Sequence, residues 1–248
     1  MKIAVMNASV AQPLIEHVDE VCAELGWNVV RASDADCSRM LLNNEVSLAL
    51  VSPLGYGRGV GRVDYRLVPG PCVVLTDYTE TAGVVFSEGV EEITAIAATE
   101  PKSFMAVMGF IILREKFDST ATTIDQANAE SMCVITDQLT ERWTLDISEE
   151  WYDLAETPLP AALWVCRTEA ELDKVADAVK RMQAANLVEH DVVEHSDHAD
   201  ETFPRNGRIS YEWNDEVQES LDAVLNVLFF HQQLAELPAI KILGRDEL

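Results

Sequence analysis

The chain has 248 residues, 48% of them hydrophobic, and its 43 acidic against 18 basic side chains give a net charge of −25 at pH 7. The hydrophobic content is enough for a folded core and excludes a disordered acidic protein, while the charge argues against nucleic acid or an anionic membrane surface as a partner. No apolar stretch reaches the roughly 20 residues of a membrane-spanning helix, and the N-terminus predicts a strand, not a secretory signal, so we expect a cytoplasmic protein.

The first quarter of the chain predicts alternating strands and helices. Strands are predicted at residues 2–6, 27–31 and 46–51, and helices at residues 13–25 and 38–43. This alternation is typical of a parallel sheet. The next segment is rich in glycine, at Gly55, Gly57, Gly59 and Gly61. We expect it to be a loop at the carboxyl end of a parallel strand, which is the edge where open α/β sheets bind ligands.

The rest of the chain predicts a second strand and helix series. Strands are predicted at 63–68, 72–77, 81–87, 92–98, 131–136 and 161–166, helices at 104–116 and 169–186, a mixed segment at 143–154, a loop at 189–201 and a helical region at 211–237. Two such series predict two α/β lobes with a ligand cleft between them. We assign residues 1–80 and 168–248 to lobe 1 and residues 81–167 to lobe 2.

Two candidate ligand groups lie near the third predicted strand. Ser52 follows that strand directly, and it either donates a hydrogen bond to a ligand or caps the turn before Pro53. Tyr56, together with Arg58 and Arg62, could meet an anion where glycines let the backbone come close. The alternative is that this segment is a surface turn.

A second candidate region precedes the apolar helix at 104–116. Thr99 or Ser103 could cap this helix, and its free N–H groups and dipole favour a carboxylate. Lys102 is unfavourable at a positive helix end unless an anion sits there. Asp137 ends another apolar strand, and it is predicted either to face the same ligand or to cap a helix.

The sequence carries no established metal or nucleophile motif. His195 and His198, with Asp197 or Asp200, could hold a divalent ion, but their spacing matches no established site. We therefore expect no metal. The five scattered cysteines predict small buried hydrophobic side chains.

The charge also suggests adaptation to molar salt, since the chain has many carboxylates and few lysines. Concentrated salt shortens the screening length to about 3 Å and makes dense carboxylates tolerable. This hypothesis predicts loss of secondary structure on dialysis to low salt.

Several segments together resemble the menaquinone biosynthesis family of the futalosine route, which includes chorismate dehydratase. The segments are VSLALVSPLGY, YRLVP, TAGVVFS, ILREKF, MCVITDQL, SEEWYDLAETPLPAALW and the terminal GRISYEWNDEVQESLDAVLNVLFF. The clearest is the sixth, at residues 148–164, which is similar to the family's "DLGEEWxxxTGLPFVFAVW" stretch. The resemblance covers nearly the whole chain.

The resemblance implies a type II periplasmic-binding-protein fold, each lobe a mixed, mainly parallel sheet flanked by helices. It also implies an enzyme, a hydro-lyase without metal or organic cofactor, that removes water from chorismate to give 3-[(1-carboxyvinyl)oxy]benzoate. The implied partner is a small anionic metabolite bound by a monomer or homodimer.

The predicted site residues take their roles from this hypothesis. Ser52 and Ser103 would bind ligand carboxylates, and Lys102 would supply charge beside the cap at Thr99. Asp137 would orient a ligand hydroxyl or help to move a proton. Ser9 and Tyr56 complete the predicted binding residues, and Asp137 and Ser52 are the predicted catalytic pair.

The sequence also departs from the family pattern. Val10 stands where the family has an asparagine, the family's "SSRTS" turn is replaced by residues 99–103 without its arginine, and Thr136 replaces a glycine. A second hypothesis is therefore a non-catalytic cytoplasmic protein that binds a small carboxylate metabolite.

Overall fold

A computed structural model describes residues 1–87, 89, 93–124, 133–136, 145–167, 172–187, 189–194 and 204–245. The strands are β1 (Lys2–Met6), β2 (Asn28–Ala32), β3 (Leu48–Val51), β4 (Tyr65–Leu67), β5 (Pro71–Asp77), β6 (Gly83–Phe86), β7 (Ala95–Ala98), β8 (Thr122–Thr123), β9 (Cys133–Thr136), β10 (Leu145–Asp146), β11 (Leu159–Arg167), β12 (His190–Val193) and β13 (Asn206–Glu212). The helices are α1 (Val18–Leu25), α2 (Asp34–Leu42), α3 (Pro53–Val60), α4 (Phe104–Phe117), α5 (Ile147–Ala155), α6 (Leu172–Met182) and α7 (Asp215–Phe230), and a 3-10 helix covers Ser9–Ile15.

The chain divides into two compact units. Unit 1 comprises Met1–Val74, Pro160–Glu189 and Ser210–Leu248, and unit 2 comprises Leu75–Leu159 and His190–Ile209. Relative to the predicted lobes, residues 75–80 and 190–209 group with unit 2 and residues 160–167 with unit 1. None of the helices within the described ranges is long and apolar enough to span a membrane.

Unit 1 contains most of the larger sheet, whose strand order among the described residues is β12-β13-β5-β11-β3-β1-β2, with β4 paired to β11. Strand β1 is parallel to both β2 and β3, while β11 is antiparallel to β3. The residues of β3 are all buried, as are Ile3, Ala4 and Val5 of β1, because helices cover this part of the sheet. The predicted parallel strand and helix alternation of the first quarter is thus confirmed.

Unit 2 is built on the strand order β10-β6-β9-β7-β8. Strand β7 is parallel to β9 and β8, and β6 is antiparallel to β9 and β10. Helix α4, whose residues 106–109 and 111–113 are buried, follows β7 and packs on α5 and β9. Strand β12 pairs with β13 in an antiparallel hairpin.

Four predicted elements differ from the structure. The glycine-rich segment is helix α3, because Ser52 caps it and Pro53 occupies its first turn, where no N–H is needed. The predicted helix 13–25 is a 3-10 helix containing Pro13 followed by α1. The mixed segment 143–154 contains helix α5, capped by Asp146, and the predicted loop 189–201 contains β12. All five cysteines are buried and free, as predicted.

Candidate functional site

Unit 1 presents polar residues at one edge of its sheet. Because β1, β2 and β3 run parallel, their carboxyl ends meet at the same edge. Ser9 follows β1, Asp34 follows β2 and Ser52 follows β3. Ser9 is exposed at the start of the 3-10 helix. The predicted residues Ser9 and Ser52 therefore share an edge with Asp34, which the sequence analysis did not select.

Ser52 is bound internally at this edge. Its backbone N–H donates to Asp34 Oδ1 at 2.9 Å, and its hydroxyl donates to Asp34 Oδ2 at 2.6 Å. The same hydroxyl oxygen accepts from the N–H of Gly55 at 3.3 Å, which caps α3. Only 1% of Ser52 is exposed. Burial raises the pKa of Asp34, and the two hydrogen bonds from Ser52 oppose that rise.

Tyr56 is also held within unit 1. Its hydroxyl donates to the backbone carbonyl of Ala239 at 2.9 Å and accepts from the N–H of Lys241 at 3.1 Å. The residue is 0% exposed. In this structure the Tyr56 hydroxyl therefore fixes the C-terminal segment to α3.

The glycines of the α3 segment are positions of close packing. A methyl group on Gly59 would lie 2.0 Å from the ring of Tyr65, and one on Gly55 would lie 2.1 Å from Ser38 Oγ. The corresponding contacts of Gly57 and Gly61 are with the side chains of Leu234 and Glu236. Their small size thus lets α2, Tyr65 and the segment after α7 approach the helix, and the prediction of a loop at 54–62 is wrong.

Unit 2 also gathers polar residues at one edge of its sheet. Asp146 pairs with Gly83, and Gly83 pairs with Thr136 on the next strand. The parallel pairing of Ala98 with Ile135 places Thr99 level with Thr136, and the Thr99 N–H donates to Ile135 O at 3.0 Å. Since neighbouring strands lie about 4.8 Å apart, these residues form a row about 15 Å long.

The N-terminus of α4 lies next to this row. Ser103 caps α4 by accepting a hydrogen bond from Ala106 N at 3.2 Å, which leaves its own hydroxyl proton for a ligand. The first N–H groups of a helix have no acceptor within the helix, and its dipole attracts negative charge. Lys102 is exposed immediately before the cap. The structure thus brings Thr99, Lys102 and Ser103 together at a place suited to a carboxylate.

Asp137, the predicted catalytic carboxylate, lies outside the described residues, as do His195 and His198. Thr136, directly before Asp137, is buried at the carboxyl end of β9. Among the described residues there is no cluster of three or more His, Cys, Asp and Glu side chains suited to a metal.

Asp146, a buried carboxylate, was also missed at the level of the sequence. It is 0% exposed, and its two oxygens accept four hydrogen bonds, from the N–H groups of Glu80, Ser148 and Glu149 and from the Ser148 hydroxyl. Burial raises its pKa to about 6, against the opposing effect of these bonds. The sequence does contain one indication of its position, because an aspartate followed three residues later by a glutamate, as at Asp146 and Glu149, is typical of a capped helix start.

Comparison with known families gives one match. The family model described as menaquinone biosynthesis matches residues 1–219. No curated protein matches the chain.

Comparison with solved structures gives many matches of low sequence identity. Protein AF1704 from Archaeoglobus fulgidus has a TM-score of 0.63 at 12% identity, covering 94% of this chain and 98% of that one. The periplasmic aliphatic sulphonate-binding protein SsuA from Escherichia coli has a TM-score of 0.58 at 9% identity, covering 100% and 94%. The alkanesulfonate-binding protein SsuA from Xanthomonas axonopodis pv. citri, bound to MOPS, has a TM-score of 0.51 at 9% identity, covering 97% and 96%. The chain thus has the predicted type II periplasmic-binding-protein-like fold.

Proposed function

The chain belongs to the menaquinone biosynthesis family, and on that premise we propose that it is a chorismate-dehydratase-like hydro-lyase. It would remove water from chorismate to give 3-[(1-carboxyvinyl)oxy]benzoate. The observation that carries the proposal is the edge of the unit 2 sheet, where Ser103 supplies a hydroxyl donor and Lys102 a positive charge beside Thr99 at a helix start.

A dianionic substrate suits this arrangement. The first turn of α4 and Lys102 would hold one carboxylate, because together they offer N–H groups, a hydroxyl and a full charge. The two sulphonate-binding proteins similar in fold also take an anion, which supports a small anionic ligand for this chain. Since the protein carries a charge of −25, these local donors must overcome long-range repulsion, and salt should strengthen binding.

The elimination breaks a ring C–H bond and the neighbouring C–OH bond, and the ring becomes aromatic. It needs a group that takes the ring proton and donors that stabilise the leaving hydroxide until it is protonated to water. We assign the hydroxyl-orienting or proton-moving role to Asp137. Ser52 and Ser9 remain predicted binding groups of unit 1, and the bond from Ser52 to Asp34 would couple that hydroxyl to a second carboxylate.

The test is incubation of the purified protein with chorismate in molar salt, followed by chromatography for 3-[(1-carboxyvinyl)oxy]benzoate. We expect the product to form in proportion to enzyme, and the Ser103→Asp variant to form much less because its carboxylate repels the substrate. Absence of the product with fully folded protein would contradict the dehydratase proposal.

A second candidate is a non-catalytic binding protein for a small carboxylate. One observation favours it: the proton of Ser52, half of the predicted catalytic pair, is already donated to Asp34 at 2.6 Å. Calorimetric binding of chorismate without turnover would select this function over the first.

The location, oligomeric state and partners that we propose are the same for both candidate functions. We place it in the cytoplasm as a monomer or homodimer, with no nucleic acid, membrane or cofactor partner. Fractionation of the source cells and light scattering of the purified protein would test the location and the oligomeric state.

A further inference from the structure

Asp146 is linked to three hydroxyl groups as well as to helix α5. The Ser148 hydroxyl donates to Asp146 Oδ1 at 2.6 Å, and the Thr79 and Ser148 hydroxyl oxygens are 2.6 Å apart. The Thr79 hydroxyl donates to the Thr81 hydroxyl oxygen at 3.0 Å, and the Thr81 hydroxyl donates to the backbone carbonyl of Thr79 at 3.4 Å. Ser148 and Thr79 are 2% and 3% exposed, whereas Thr81 is only half-buried. A continuous chain of hydrogen bonds therefore joins the buried carboxylate to a hydroxyl that solvent can reach.

The hydrogen bonds that join Asp146 to Thr81 can point in either direction. An ionised Asp146 only accepts, so Ser148 donates to it and Thr79 donates to Ser148. A protonated Asp146 can donate to Ser148, and each hydroxyl proton then turns toward Thr81. When Asp146 is ionised, the Thr81 hydroxyl has to turn from the Thr79 carbonyl to the Thr79 hydroxyl oxygen, and when Asp146 is protonated, Thr79 and Thr81 keep the donor directions seen in the structure. Both protonation states of Asp146 are thus compatible with a complete set of hydrogen bonds.

The charged groups around Asp146 do not neutralise it. Glu149, on its own helix, is held by Arg205 at 2.9–3.0 Å, and the carboxylate of Glu80 accepts from the Tyr78 hydroxyl at 2.7 Å. On the neighbouring α4, Lys116 pairs with Glu150 and Asp153. Among the residues that the structure describes, none pairs a cation with Asp146, and burial raises its pKa to about 6.

Asp146 also belongs to the sheet edge at which we place the ligand. It lies two strands from Thr136 and three from Thr99, or about 10 Å and about 15 Å away at the usual strand spacing. A second negative charge at this edge would repel the ionised carboxylate through the interior of unit 2, where salt screens weakly. Protonation of Asp146 removes that repulsion.

We propose that Asp146, Ser148, Thr79 and Thr81 form a proton-uptake network, through which Asp146 takes up one proton when an anion binds at the carboxyl edge of the unit 2 sheet. The inference rests on the proposed function for the identity of that anion. The proton enters at Thr81 from solvent. One proton then moves along each bond until Ser148 passes its proton to Asp146, so the hydroxyls are unchanged and the carboxylate becomes neutral.

A cap alone does not account for these contacts. Capping of α5 requires only the bonds from Ser148 N and Glu149 N, which an asparagine or a serine can also accept. Thr79 and Thr81 make no contribution to that cap, yet their hydroxyls extend the chain to the surface. Asp146 therefore acts as a positioning and proton-holding residue that does not touch the ligand.

Calorimetry tests the coupling with the stable product 3-[(1-carboxyvinyl)oxy]benzoate as the probe. Titrations in two buffers of different ionisation enthalpy count the protons taken up per ligand. We expect an uptake of about half a proton, largest near pH 6.5, and an affinity that falls by up to about tenfold as the pH rises to 8. In Asp146→Asn the uptake should vanish, and at pH 8 the variant should bind more tightly than the wild type. Asp153→Asn, an exposed carboxylate on the same helix, is the matched control and should behave as the wild type.

Nuclear magnetic resonance of the free protein tests the network without any ligand. With ¹³C-labelled aspartate, the signal that is missing in Asp146→Asn belongs to Asp146 and should titrate near pH 6. In Thr79→Val this titration should move to higher pH, because Ser148 loses the hydrogen bond from Thr79 that strengthens its own bond to the ionised carboxylate. Binding without proton uptake, uptake that persists in Asp146→Asn, or a titration unmoved by Thr79→Val would each overturn the inference. Failure of the probe to bind would instead count against the proposed function, and the titration would then decide the inference by itself.

Discussion

The two sheet edges of this protein are built alike but use their polar groups differently. In unit 1, Ser52 and Tyr56 are hydrogen-bonded to Asp34 and to the segment after α7, and the glycines of α3 are covered by side chains. In unit 2, Ser103 keeps its hydroxyl proton and Lys102 is exposed. The same position at a strand end can therefore serve folding in one unit and remain available to a ligand in the other.

This difference matters for assigning function from position alone. A hydroxyl after a parallel strand is a fair candidate for ligand binding, but its hydrogen-bond partners decide what it does. The following variants separate the two roles, because those in unit 1 should change stability and those in unit 2 should change anion binding.

The largest effect is expected from Gly59→Ala. The new methyl group would lie 2.0 Å from the buried Tyr65 ring, so overpacking should outweigh the gain in helix propensity. We expect the free energy of unfolding to fall by about 2–3 kcal/mol in a denaturant titration.

Gly61→Ala is the matched control for this variant. Its methyl group would meet only the flexible end of Glu236, so the loss should stay below about 1 kcal/mol. Equal losses for both variants would show that close packing on α3 is not what its glycines provide.

Next in size is the effect of Ser103→Asp on anion binding. Aspartate keeps the cap of α4, so stability should change little, but its charge should weaken chorismate binding more than tenfold, or by about 1.4 kcal/mol. Asn214→Asp adds the same charge at the cap of α7 in unit 1 and should leave the affinity unchanged. Calorimetry on the two variants compares the units directly, and equal weakening would reject the unit 2 edge as the binding place.

A smaller effect is expected from Tyr56→Phe. The variant loses the bonds to Ala239 O and Lys241 N, which should lower the free energy of unfolding by about 1 kcal/mol. Chorismate affinity should stay the same, since the hydroxyl is fully used within unit 1. A large fall in affinity in a properly folded variant would restore Tyr56 as a ligand group.

The smallest effect, and the one with a pH signature, is expected from Asp34→Asn. Near pH 4 the amide of the variant resembles the protonated carboxyl group of the wild type. We expect the free energy of unfolding to fall by about 1 kcal/mol, because the amide NH2 faces one of the two Ser52 donors. Because burial raises the pKa of Asp34 above its ordinary 3.8, ionisation lowers wild-type stability as the pH rises past that value. The variant lacks this loss. Its melting temperature relative to that of the wild type should therefore rise between pH 4 and pH 8.

Asp36→Asn, on the exposed side of the same helix, is the control for the pH dependence. Its stability difference from the wild type should be nearly constant over the same range. A parallel pH dependence in both variants would assign the effect to the overall charge of the protein.

Much of the fold could be predicted because its strands are short apolar runs bounded by polar residues. β1, β3 and α4 lie close to their predicted positions, since each needs only local patterning. The loop prediction for the glycine-rich segment was wrong because glycine also allows close helix packing. The helix start at Ser52 and Pro53 and the packing partners of the glycines decide the structure of this segment. Those partners, Tyr65 and Leu234, come from distant parts of the chain.

The candidate site was predictable only as far as strand ends and helix starts are local features. Thr99, Lys102 and Ser103 were found because an apolar helix follows them directly. Asp34 was missed because its role depends on Ser52, which lies 18 positions later, after another strand. Asp146 was missed because its burial and its link to Thr79 arise only when distant segments pack.

The position of β11 has a consequence for how the protein is made. This strand lies between β5 and β3 in its sheet, yet most of unit 2 precedes it in the chain. During synthesis the apolar β1 and β3 therefore leave the ribosome long before the neighbour that completes their layer. A nascent chain stopped before residue 159 would expose an open hydrophobic edge to aggregation, and we expect neither unit to be obtainable as a simple contiguous fragment.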